Sequence, residues 1–253
     1  MKSTLRARLV CCLLAWLACF GVQAQPISRI AVLSLVADSM TVVAYRPSTG
    51  SSTDTNLRRK IPISTPVLEQ AVLAAVHDSA RKTLSSAGVL MLAVPRAGAA
   101  NDPNALLADL SSEGSAAFLA ALREQSVSHL VLVTPYRAPA RMQFADGKVG
   151  SGYVSGLGFY VDHSLPTIGS DANRAGEGFI APYAYVQLTL VDVATATVRR
   201  KELVTASHAV AAERNRTGTD PWNALSTEEK FRLLTDLLVE GVSGATEALL
   251  KPN

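Results

Sequence analysis

Residues Pro182 to Ser207 read PYAYVQLTLVDVATATVRRKELVTAS, two β-rich runs joined by small residues. Tyr183, Tyr185, Gln187, Thr189 and Val191 alternate with Ala184, Val186, Leu188, Leu190 and Asp192, the two-residue period that sends successive side chains to opposite faces of a strand. One face is aliphatic and the other is mixed. After the turn at Ala194 to Thr197, the return run Val198 to Ala206 carries Arg199, Arg200, Lys201 and Glu202, charges suited to a solvated face or a sheet edge. The expectation is an antiparallel hairpin that frames a sheet.

Working outward, the earlier chain supplies that sheet with strands and covering helices. Arg29 to Val36 is an apolar run of strand length, and Met40 to Tyr45 follows closely enough to pair with it as a hairpin. Pro47 to Lys60 has the composition of a loop. Thr65-Pro66 predicts a helix start, with Thr65 as cap, and Leu68, Val72, Val76, Ala80 and Leu84 make one apolar stripe before Gly88. His77 on this helix has no second ligand at helical spacing and reads as a surface residue. Val89 to Val94 predicts a buried strand, Asn101 to Gln125 an interrupted helix, and Val127 to Val133 a core strand in which His129 makes a strand-end hydrogen bond. Ser226-Thr227-Glu228-Glu229 is a capping box opening a last helix, whose Phe231, Leu234, Leu238, Val242, Ala245 and Leu249 form a docking stripe. Strand, helix, strand, helix, strand and then a hairpin predicts an α/β (α+β mixed) protein: one mixed sheet flanked by helices, with a C-terminal antiparallel hairpin and a closing helix.

Lys2, Arg6 and Arg8 precede the apolar run Leu9 to Val22, and Val22-Gln23-Ala24 follows it, the three-part pattern of a secretory signal peptide over residues 1–24. The run is too short for a span of roughly 20 residues. Cleavage after Ala24 would remove all three cysteines, Cys11, Cys12 and Cys19, leaving no thiol chemistry in residues 25–253. The alternative is lipid attachment at Cys19, which follows Leu17-Ala18. The leader carries three basic residues and no acidic one, so its loss balances 24 Lys and Arg to the level of 21 Asp and Glu. The short runs Arg58-Arg59-Lys60 and Arg199-Arg200-Lys201 suit edges or loops, and no basic face points to nucleic acid.

Between the core strands and the hairpin, about 135–181 reads as a glycine- and aromatic-rich insertion in the single domain 25–253. Asp146-Gly147 predicts a small hairpin between Met142 to Phe144 and Lys148 to Val154. Gly152, Gly156 and Gly158 have a dinucleotide-loop spacing, but the following Phe159-Tyr160-Val161 is no helix N-terminus, so no cofactor is expected. Ser155, Asp162 and His163 supply hydrolase residue types without the G-x-S-x-G elbow, and no metal-ligand spacing is present. Two readings remain for this segment: a bent strand with packed aromatics, or a contact loop in which Tyr153, Ser155, Phe159, Tyr160, Asp162 and His163 meet a partner or ligand.

Arg29-Ile30-Ala31-Val32-Leu33 and Leu188-Thr189-Leu190-Val191-Asp192-Val193-Ala194-Thr195, in this order of elements, resemble bacterial envelope domains. These are the N-terminal domain of the Tol-Pal translocation protein, the curli-secretion lipoprotein and the lipoprotein activators of peptidoglycan synthases. The resemblance implies a periplasmic α/β domain used in assembly or regulation without catalysis, and another envelope protein as partner. Ala196 stands where the family-like turn has glycine. The expected function is thus an exported, envelope-associated, non-enzymatic binding protein, with a small-ligand binder or hydrolase built on residues 150–163 as the alternative.

Overall fold

The computed structural model of the chain describes residues 27–47, 54–92, 113–167, 176–212 and 220–251. The leader with its cysteines, and the start of the Asn101 to Gln125 stretch, lie outside these residues. The first apolar run forms β1 (Arg29–Ser34), and both its edges are occupied by parallel partners, β4 (Gly88–Leu92) and β5 (His129–Pro135). Helix α1 (Val67–Thr83) leads into β4 and α2 (Glu113–Glu124) leads into β5, as the strand and helix order predicts.

Several local expectations are corrected. With both edges of β1 taken, β2 (Ser39–Ala44) cannot join it in a hairpin and pairs instead with β3 (Leu57–Pro62) and β9 (Tyr153–Thr167). β3 lies in the stretch expected as a loop; its Leu57, Arg58, Arg59 and Lys60 are exposed, because an edge strand needs one ladder and no apolar face. β4, expected to be buried, is the opposite edge, with Met91 52% exposed. Thr65 does not cap α1. Pro66 holds that position without a side-chain bond, and the helix ends at Leu84 rather than at Gly88.

The hairpin forms as expected from β10 (Gly176–Asp192) and β11 (Thr197–Ser207), running from Tyr183 opposite Ser207 to Asp192 opposite Thr197. Ala196 adopts φ 54°, the left-handed conformation that a glycine would take without strain. β10 is the spine of the sheet, whose order is β3-β2-β9-β10-β5-β1-β4. Residues Gly176 to Tyr185 pair with β9, Val186 to Asp192 pair with β5, and β11 lies beside both halves. A strand has two edges, so β9 and β5 share one edge of β10 and the sheet forks between Tyr185 and Val186. A short β12 (Val210–Ala211) continues the other edge.

On one face, α1 and α3 (Thr227–Leu250) cover Ile30, Val32, Val131, Phe159, Val186 and Leu188. The predicted capping box is present: Ser226 Oγ accepts from Glu229 N–H at 3.1 Å, and Glu229 Oε2 accepts from Ser226 N–H at 2.8 Å. The buried Leu234, Leu238, Val242 and Leu249 each contribute about 1.5–3 kcal/mol of apolar burial. The second face is divided at the fork. α2 covers the β1 and β5 half through Leu119 and Leu122. The β9 half lies beneath β6 (Arg137–Pro139), β7 (Met142–Phe144) and β8 (Gly147–Val149), with the fully buried Met142 against the aromatics. The predicted β7 and β8 hairpin forms one residue out of place: Phe144 pairs with Gly147, so the turn is Ala145-Asp146 rather than Asp146-Gly147, and the return strand ends at Val149.

Candidate functional site

β9 runs inside the sheet between β2 and β10, and this decides where the six sequence candidates fall. Phe159 and Tyr160 are 2% and 0% exposed and belong to the cores on opposite faces. Asp162 is buried, and its Oδ1 accepts from Ser164 N–H at 2.7 Å, Ser164 Oγ at 2.8 Å and Leu165 N–H at 3.2 Å. His163 is exposed; its Nε2 stands 3.3 Å from Asp220 Oδ1, which also accepts from Trp222 N–H at the start of the 3-10 turn Pro221–Ala224. Ser155 is exposed near the other end of β9. An extended strand rises about 3.3 Å per residue, so Ser155 and His163 are separated by more than roughly 20 Å. The three hydrolase residue types do not converge.

Tyr153 is half-buried at the start of β9. Its N–H donates to Asp54 Oδ2 at 3.2 Å, its carbonyl accepts from Arg58 Nη2 at 2.8 Å, and the Arg137 guanidinium lies 4.0 Å from its ring centroid. Burial would raise the Asp54 carboxyl, but the Arg58 guanidinium and the amides of Asn56 and Tyr153 outweigh it and hold it below the usual carboxylate range. The glycines around Tyr153 serve packing. Gly152 has φ +73° beneath the Asp54 carboxylate and Asn56 amide, and at Gly158 a Cβ would collide with the Thr41 carbonyl.

The residues between β6 and β9 make an arch, and three tyrosines from the sheet fix it and its surroundings. Tyr185 OH accepts from Arg141 N–H and donates to Arg141 C=O, each at 3.2 Å, holding one foot. Tyr160 OH accepts from Ser151 N–H at 3.1 Å and donates to Ser151 C=O at 3.3 Å, holding the other. Tyr183 OH donates to Thr41 C=O at 3.2 Å and ties in β2. Burial raises all three phenols, most of all Tyr183, so they stay protonated and able to donate. On this buried layer Tyr185 of the hairpin and Tyr160 of β9 bond the backbone of the covering segment, while Tyr183 bonds that of β2.

The fixed arch carries Lys148 to the rim of two grooves. One, of about 440 Å³, lies between the arch, the Thr205 to Ser207 end of β11 and α3, and includes Lys148, Glu240, Leu237, Gly241 and Gly244. The other, of about 250 Å³, runs under the arch past Arg141 and the backbone of Gly150 to Gly152. Lys148 and Glu240 are exposed and have no ion pair among the described residues. The arrangement offers one cation, one anion, hydroxyls at Thr205 and Ser207 and the apolar side chains of Ala206 and Leu237. Sequence reasoning missed it, because Lys148 and Glu240 are far apart in the chain and each looks like an ordinary surface charge. Only the Asp146-Gly147 turn signalled that a rigid hairpin stood there. Among the described residues no cluster of His, Cys, Asp and Glu could hold a metal, and no helix is long and apolar enough to cross a membrane.

No family model and no curated protein matches the chain. Solved structures that resemble it include the PelC dodecamer from Paraburkholderia phytofirmans, at 11% identity and a TM-score of 0.35 over 91% of this chain and 93% of that one. A protein from Xanthomonas campestris gives 10% identity and a TM-score of 0.38, covering 91% of this chain and 88% of that one. A putative neuraminyllactose-binding hemagglutinin homolog from Helicobacter pylori gives 6% and 0.35, covering 91% and 86%. Likeness at this level leaves the function to be read from the chain's own residues.

Proposed function

We propose that the chain is an exported component of the bacterial envelope that binds another protein and performs no reaction, with the arch as its contact surface and Tyr153 and Ser155 beside it. The leader pattern in residues 1–24 supports export, and the balanced charge of residues 25–253 gives no electrostatic reason for a nucleic-acid partner. The resemblance of the β1 and β10 strings to periplasmic assembly domains supports the same class. The observation that carries the reading is the pinned arch: buried tyrosine hydroxyls hold a short exposed hairpin rigid, and that hairpin presents Lys148 across a groove from Glu240, neither of them in an ion pair among the described residues. Rigid presentation of charges around a preformed groove lowers the ordering cost of a protein contact.

In-cell photo-cross-linking tests this. With benzoylphenylalanine replacing Lys148 or Ser155, irradiation is expected to give an adduct with a second polypeptide, whereas replacement of His77 on α1 gives none. Absence of adducts at both Lys148 and Ser155, or equal labelling from position 77, would remove the reading.

A further inference from the structure

The larger groove lies along a strand edge. Among the described residues β11 pairs only with β10, so along its outer edge alternate residues turn their amide and carbonyl away from the sheet. The first half of that edge is shielded by Arg199, Arg200, Lys201 and Glu202, the charges that keep exposed edges from recruiting other chains. The shielding stops at Leu203, which is 51% exposed, and Leu203 to Ser207 contain no charge.

Walls stand over this uncharged portion from both faces of the sheet. On one side α3 contributes Leu237, Glu240, Gly241 and Gly244; on the other the arch contributes Lys148. α3 approaches β11 closely, since a Cβ on Gly241 would strike the Val204 side chain, while a Cβ on Gly244 would meet nothing within 4 Å. The wall at Gly244 therefore leaves room for an incoming side chain. The slot is closed beyond Ser207, where Gln143 N–H donates to Ser207 Oγ at 3.0 Å and Gln143 C=O accepts from Ala209 N–H at 2.8 Å. At its other end Leu203 is exposed.

From these features we infer that the groove takes an extended peptide segment of a partner protein as an added strand on β11, a deepening that rests on the protein-binding reading. Main-chain bonds to the outer edge of Leu203 to Ser207 would supply affinity, and the walls would supply selectivity. A residue facing the helix side fills the space at Gly244 and is apolar, against Leu237. A residue facing the arch is acidic and meets Lys148. Glu240 at the helix wall disfavours acidic side chains on that side, which sets the register of the alternation.

The test uses the full exported chain and acetylated heptapeptides alternating Val with Asp, Val with Thr or Val with Lys, with affinity read by fluorescence anisotropy. The Asp series is expected to bind at least tenfold tighter than the Lys series, and N-methylation of alternate peptide amides to weaken it at least tenfold. Gly244→Leu, at an exposed helical position with open space, should abolish binding while the melting temperature stays level or rises, since leucine favours the helix over glycine, and Lys148→Glu should invert the Asp and Lys preference. Strand addition is overturned if no series binds, if N-methylated peptides bind equally, or if Gly244→Leu has no effect. Sedimentation separates one further outcome: a dimer that Gly244→Leu dissolves would make the occupant a second copy of this chain and overturn the partner peptide. Persistent cross-links from position 148 without peptide binding would retain the protein-binding reading and discard this one.

Discussion

At Gly158 the backbones of β2 and β9 come so close that no side chain fits. A Cβ there would collide with the Thr41 carbonyl and stand 2.7 Å from the Tyr183 hydroxyl, and neither neighbour is free to retreat, because both belong to the paired sheet. Gly158→Ala is therefore expected to lower stability by about 3 kcal/mol, the upper end of overpacking costs, measured by urea unfolding. A loss under about 1 kcal/mol would show that β2 can shift outward. The glycine spacing 152, 156, 158 that superficially matches a dinucleotide loop is thus a packing device.

The turn between β10 and β11 gives the hairpin element a pH response. Asp192 Oδ1 accepts from the amides of Ala194 and Thr195 at 3.0 Å, and its Oδ2 accepts from Arg199 Nη2 at 2.6 Å. Burial would raise this carboxyl, but the Arg199 and Thr195 donors outweigh it and hold it below the usual range. Opposite it in register stands His129, buried against Ser128 Oγ at 3.1 Å. Burial lowers its imidazole; Asp192 opposes this and Arg199 adds to it. The unfolded chain binds the His129 proton near pH 6.5 while the folded state resists it, so stability falls as pH drops below about 6.5. The Asp192 contribution is present above about pH 3.9 and is lost as pH falls further through its lowered folded value. His129→Asn should thus reduce the fall in urea midpoint between pH 7 and 5 while leaving the decline below about pH 4. An unchanged slope between pH 7 and 5 would assign that response elsewhere.

For the molecule as a whole, protection should follow the fork. β10, β5 and β1 are buried and paired on both edges, whereas β3 and β4 are edges and the β7 and β8 hairpin is a separate two-stranded sheet. Native-state hydrogen exchange is expected to be slowest in Val186 to Val191 and Ile30 to Val32 and faster by at least a hundredfold in Gly147 to Val149; equal protection would mean that the arch opens only with global unfolding. The chain's local patterns determined the helices, the capping box at Ser226 and the β10 and β11 hairpin, because period and cap chemistry act within a few residues. Tertiary structure alone decided which runs became edges, since Val89 to Leu92 and Leu130 to Val133 look alike until one has partners on both sides and the other on one. It also decided the site. Tyr160 read as either a contact residue or a packed aromatic and Tyr185 only as one face of a strand; the sheet's fork, which brings Ser151 and Arg141 over their hydroxyls, turned both into supports for Lys148.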